Sequence, residues 1–102
     1  MPVNQRVIQT STAPVIEFDP EVSAWYIRFS KAKVVRTLSE DAPGPVVTID
    51  LDARGKVVGV ELIGIKEFNI LEALKMAGVE APDVDMTAAR YVSVGHSDLA
   101  MA

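Results

Sequence analysis

The sequence predicts an α+β domain, an antiparallel β-meander of four to five strands with a short C-terminal helix packed on one face. Three observations carry this. From Val46 to Ile65 two apolar runs flank Asp52-Ala53-Arg54-Gly55; from Ala24 to Phe29 aromatic and β-branched residues alternate with others; and after Ile65 the apolar spacing changes. Spacing of two is the signature of a strand and spacing of about 3.6 that of a helix.

The hairpin organises the rest. In its first run Val47, Ile49 and Leu51 point one way and Val46, Thr48 and Asp50 the other; in its second, Val58, Val60 and Leu62 share one face and Val57, Gly59, Glu61 and Ile63 the opposite one. Gly55 takes a positive φ at no steric cost, so Asp-Ala-Arg-Gly reads as a type I turn closing on a glycine bulge.

Upstream, residues 1–13 lack a sustained period and read as a flexible arm, in which Val7-Ile8 offers a short optional edge strand. Val15 to Phe18 is a strand stopped by Asp19-Pro20, where proline presets φ and the carboxylate accepts a nearby backbone N–H. Ala24 to Phe29 is a central strand with Trp25, Ile27 and Phe29 on its core face and Tyr26 and Arg28 on the other. Val34 to Leu38 leaves two registers open, with either Val34 and Leu38 or Val35 and Thr37 facing inward, an ambiguity that an edge strand tolerates. Residues 39–45 contain two prolines and a glycine and form a loop.

Downstream, Asn69 followed by Glu72 is a capping-box arrangement, Ile70, Leu71, Leu74 and Ala77 form the apolar stripe, and Gly78 supplies a left-handed cap. A helix this short must dock on the sheet to persist. Pro82 bars its continuation. Asp85 to Tyr91 reads as a further helical turn capped by Asp85 and then a strand-like tail. The domain division is therefore an arm over 1–13, one domain over 14–94 and a tail over 95–102.

A chain of 102 residues has room for one core. No apolar run approaches the roughly 20 residues of a membrane helix, and the amino terminus lacks the apolar block of a secretion signal. The absence of cysteine excludes a disulfide framework, a thiolate zinc site and a cysteine nucleophile, and a cytoplasmic setting fits. A net charge of −4 disfavours nonspecific binding to nucleic acid or anionic lipid.

Three stretches taken together, IEFDPEVSAWYIRFS, then VVRT, then VVTIDLDARGKVVGVELIG, resemble the DUF2283 family of small bacterial proteins. That family's pattern is an aromatic-Asp-Pro-Glu turn, a Tyr-Ile-Arg strand and an Asp-x-x-Gly-x-Val-Val-Gly-Ile-Glu hairpin. The resemblance spans about residues 15–64. It implies the sheet and leaves the activity open, since the family is defined as one of unknown function; an antitoxin-like role is an association only.

Several groups invite chemistry. Asp50, Asp52, Gly55 and Glu61 match positions 1, 3, 6 and 12 of a calcium-loop template, but Arg54 stands where an oxygen ligand is required and the flanks are strands, so no metal is assigned. Tyr26, Arg28, Asp50 and Glu61 share the face opposite the core and are the candidate ligand-binding residues; a guanidinium and two carboxylates there suit a polar ligand or acid–base work, and equally an ordinary cross-strand charge ladder. His96 reads as a surface residue, and Ser97 and Asp98 beside it do not make a triad by adjacency. Lys31, Lys33 and Arg36, near Arg28, form a basic cluster best suited to guarding a sheet edge. No glycine-rich phosphate loop is present and no cofactor is called for.

The face opposite the core also carries Tyr26, Val46, Thr48, Val57, Ile63 and Ile65, more apolar surface than a free monomer leaves wet, which points to a homodimer paired through sheet faces or edges. With no catalytic residue assigned, the sequence points to a non-enzymatic protein-interaction or regulatory module. The alternative is a small-ligand-binding protein or hydrolase-like enzyme built on the polar sheet face.

Overall fold

The computed structural model describes residues 6–39 and 44–94. Its elements are β1 (Arg6–Val7), β2 (Val15–Asp19), β3 (Ala24–Arg28), β4 (Arg36–Ser39), β5 (Val46–Leu51), β6 (Val57–Ile63), α1 (Ile70–Ala77), β7 (Val79–Glu80), a 3-10 turn (Met86–Ala88) and β8 (Arg90–Ser93). One six-stranded sheet has the order β4-β5-β6-β3-β2-β8, and β1 and β7 form a separate parallel pair.

The α+β class is as the sequence predicts, with more strands, but the neighbour order is not that of a meander. The central strand β3 pairs with β6 and not with β4. Residues 29–35 carry the chain past β6 and β5 to the far edge, about three strand spacings or roughly 14 Å, well within their reach. The N–H groups of Phe29 and Ser30 both donate to the Val58 carbonyl, at 2.8 and 3.2 Å, so the chain stays joined to β6 as it leaves β3. Alternation specifies which residues face inward and is silent on which strand lies beside which. The strand-like tail becomes β8, which runs parallel to β2 and forms the other edge.

The Asp52 turn forms as expected. Gly55 has φ 78° and donates to the Asp52 carbonyl at 3.0 Å. The Asp52 side chain accepts from the N–H of Arg54 and of Lys56, at 2.8 and 2.9 Å. Just beyond it the register shifts, Asp50 facing Gly59 while Leu51 faces Val57. Val58 is the extra residue of a β-bulge, which turns Val57 into the core instead of onto the opposite face.

The main core lies between the sheet and α1. Ile27, Val60, Leu62, Val47, Ile49 and Leu51 meet Ala73, Leu74 and Ala77 there, with Trp25 packed against them. Trp25 stacks between Phe18 at 5.0 Å and Phe68 at 4.5 Å, and Tyr91 meets Phe68 edge-on. In α1, Asn69 caps the N-terminus by accepting from the N–H groups of Leu71 and Glu72, and Gly78 closes the C-terminus at φ 68°. Leu71, expected in the buried stripe, is 65% exposed; Ala73 takes its place, because one residue after Ile70 the helix has turned about 100° toward solvent.

Of the first register expected for the third apolar run, in which Val34 and Leu38 face the core, Leu38 does so, while Val34 lies before β4 and is half-buried. Leu38 packs on the core and Arg36 is exposed, while Thr37 turns to the opposite face. The optional strand in the arm is also realised. Arg6 and Ile8 donate to the carbonyls of Gly78 and Glu80, and Ile8 is buried in the core, so this strand pairs with β7 and not with the main sheet. Asp85 caps the 3-10 turn through the Thr87 N–H. Among the described residues, no helix is long and apolar enough to cross a membrane.

Candidate functional site

The polar face is assembled by strand register. Thr37 on β4 lies opposite Asp50 on β5, Asp50 opposite Gly59 on β6, and Gly59 opposite Arg28 on β3. One pair along, Tyr26 lies between Glu61 on β6 and Glu17 on β2. The Tyr26 ring leans diagonally across the bare backbone of Gly59. A Cβ at Gly59 would fall 2.3 Å from the Tyr26 Cζ and Oη atoms, so only glycine leaves the ring its place.

Across that gap the phenol donates to Asp50 Oδ2 at 2.9 Å, and the Thr37 hydroxyl donates to Asp50 Oδ1 at 2.6 Å. Arg28 donates to Glu17 Oε1 at 3.0 Å and lays its guanidinium over the Tyr26 ring, 4.9 Å from the centroid. Ala24, Ile63 and Val94 pack beside the ring. Tyr26 is 1% exposed and Asp50 6%, so a face expected to be open holds a small second core.

Burial, followed by the neighbouring Asp50 charge and its hydrogen bond, pushes the Tyr26 phenol well above its ordinary value, against a smaller opposing effect of Arg28. A phenol held in this way keeps its proton and serves as a hydrogen-bond donor to Asp50. Each Asp50 oxygen already accepts a hydrogen bond. The arrangement locks strands together, and its polar groups satisfy one another.

Of the four candidate residues, the structure brings Tyr26 and Asp50 into direct contact, stacks Arg28 on Tyr26, and sets Glu61 across the strand pair from Tyr26. Sequence reasoning missed Thr37, Glu17 and Gly59. Gly59 carried a readable signal, since a glycine inside an alternating strand marks a bulge or a close approach; Thr37 was concealed by the open register of its strand. Asp52 is engaged in its turn, and Asp19 caps its own turn by accepting from the Glu21 N–H at 2.9 Å, as the Asp-Pro pair predicts. Lys31 and Lys33 are exposed in the connection before β4, with Arg36 exposed on that edge strand. His96, Ser97 and Asp98 lie outside the described residues.

Every residue of this polar set falls within positions 15–66, the stretch matched by a family model described as a protein of unknown function. The chain belongs to the DUF2283 family. No curated protein and no solved structure matches it. The DUF2283 stretch runs from β2 to just past β6 and thus contains the polar lock entire, whereas α1, β7 and β8 lie beyond it.

Proposed function

We propose that this DUF2283 protein is a non-enzymatic protein-interaction module, a reading that admits antitoxin-like regulation, and that it engages its partner through the outer edge of β8. One observation carries the reading. Arg90 and Val94 donate their N–H groups to Pro14 and Phe18, so alternation directs the backbone groups of Tyr91 and Ser93 away from β2. Among the described residues no strand takes up that edge, and Tyr91 on it is 57% exposed. An open edge is a template for strand addition.

The simplest occupant is a second copy, antiparallel about a two-fold axis. A face-to-face pair has less to recommend it than the sequence suggested. Tyr26 is buried within the sheet and Val57 and Ile65 turn to the core side, leaving Val46, at 50%, as the strongly exposed member of the proposed apolar face. The ligand or hydrolase reading loses support for a related reason: Tyr26, Asp50 and Arg28 are engaged with Thr37, Glu17 and one another.

Ser93→Pro tests the edge, since it deletes an outward N–H while leaving the bonds to β2 intact. Light scattering at micromolar concentration is expected to give a dimer for the native chain. Ser93→Pro is expected to weaken its association at least about tenfold, or about 1.4 kcal/mol, with an unchanged thermal midpoint. A strictly monomeric native chain, or an assembly indifferent to Ser93→Pro, overturns the edge reading.

A further inference from the structure

At the end of the sheet where β3 leaves and the β5–β6 turn closes, a cavity of about 540 Å³ opens beneath residues 7–13 of the arm. Its size lies in the range of small-molecule sites. Its floor is apolar, formed by the outer surfaces of Ile8, Phe29 and Val57, all of them buried core residues. Its charged lining comes from separate segments: Arg28 at the end of β3, Lys31 in the connection to β4 and Lys56 just before β6, against a single carboxylate, Asp52.

That carboxylate keeps its charge but is directed at its own turn. Asp52 accepts the Lys56 and Arg54 N–H groups, which together with the charges of those two side chains hold its carboxyl below the ordinary range. Arg28 pairs with Glu17 and the Lys56 charge acts on Asp52, while Lys31 enters no ion pair among the described residues; the lining still sets three cations against one carboxylate. The cavity is thus locally cationic in a chain whose net charge is −4. The other large depression, about 620 Å³ between α1 and residues 79–86, provides the contrast: it is apolar too, but its Lys75 and Glu80 balance.

We propose that the cavity at the β3 exit binds a small organic carboxylate with an apolar body. The tail lies on Ile8, Phe29 and Val57, and the carboxylate lies between Lys31 and Lys56 at the mouth. No residue of β8 lines this site, so it stands or falls independently of the edge interaction.

Amide-detected NMR titration of the full chain with octanoate tests this, with 1-octanol supplying the tail without the charge and acetate the charge without the tail. Octanoate is expected to saturate below about 1 mM and to bind at least about tenfold more tightly than either control. Its shifts should centre on the amides of Ile8, Phe29, Lys31 and Val57. Lys31→Ala with Lys56→Ala, both exposed positions, is expected to remove the tenfold advantage over octanol, and Lys31→Arg with Lys56→Arg to restore it. Equal binding of octanoate and octanol, equal binding of octanoate and acetate, shifts centred on the α1 groove, or an Ala pair that binds octanoate like the native chain would each overturn the proposal.

Discussion

The two faces of the sheet are closed to different extents and held by different means: one carries the main core under α1, while the other buries Ala24, Tyr26 and Asp50 and leaves Thr37 and Val46 exposed. On the helix side Ile27, Val60 and Leu62 are wholly buried against Leu74 and Ala77, and what fixes them is volume. On the other side Tyr26, Thr37 and Asp50 are fixed by direction: two hydroxyls aim at the two oxygens of one carboxylate, above a glycine that supplies the space. A close-packed apolar cluster tolerates exchange among residues of similar size, whereas a hydrogen-bonded group that loses its partner bears the full desolvation penalty. The polar lock also does something that volume does not. Tyr26 on β3 and Thr37 on β4 stand on strands that are not neighbours, and their common acceptor on β5 ties the two together across β6.

The largest effect expected from this contrast comes from one methyl group on each face. Gly59→Ala adds a methyl where the Tyr26 ring already lies, so the ring must swing away and break its bond to Asp50. The expected loss is about 3 kcal/mol or more in urea unfolding. Ile27→Val removes a methyl from the opposite face and should cost about 1 kcal/mol. Equal costs would mean that the polar face is as deformable as the apolar one, and the contrast would fail.

How much of this was legible in the sequence differs between the same two faces. The apolar face was readable because alternation and the helical stripe are local signals: Trp25 and Val60 do meet beneath α1, and the Asp52 turn, the Asn69 cap and the Gly78 cap form where residue chemistry places them. Its errors were single side chains, Val57 redirected by a bulge, Ile65 packed on the core side and Leu71 turned outward by the helix. The polar face depended on non-local facts. Tyr26 and Asp50 were rightly placed on one side, but their contact depends on β3 lying next to β6, and Thr37 joins them only once the register of β4 is settled. No local pattern encodes either.

Within the lock, the two donors can be weighed separately. Tyr26→Phe leaves Asp50 Oδ2 without the phenol and is expected to cost about 1.5 kcal/mol; Thr37→Val, nearer solvent, about 1 kcal/mol. Because both act on one carboxylate, the double variant should depart from additivity by at least about 0.5 kcal/mol in chemical denaturation. Strict additivity would show two independent bonds and not one network.

The last effect is a pH dependence that only the polar face supplies. Apolar side chains do not titrate, so the helix-side core contributes no slope. Tyr26 does: its phenol is raised in the folded chain above the ordinary value of 10.0, so folded and unfolded chains are protonated alike below that value. Above it the unfolded chain loses the proton while the folded chain keeps it, so this contribution is full below pH 10.0 and declines as pH rises from there toward the folded value. The slope is at most about 1.4 kcal/mol per pH unit. The opposite end of the scale has the opposite sign. Asp52 and Asp85 are lowered from 3.8, the first chiefly by the Lys56 N–H and the second by the Thr87 hydroxyl, and their contributions disappear as pH falls below that value through the folded pKa. In a Tyr91→Phe background only Tyr26 reports as tyrosinate, and its absorbance should rise together with the loss of far-UV circular dichroism. Ionisation of Tyr26 near pH 10 with the fold intact would show that the phenol is open to solvent, and the second core would then be a surface ladder after all.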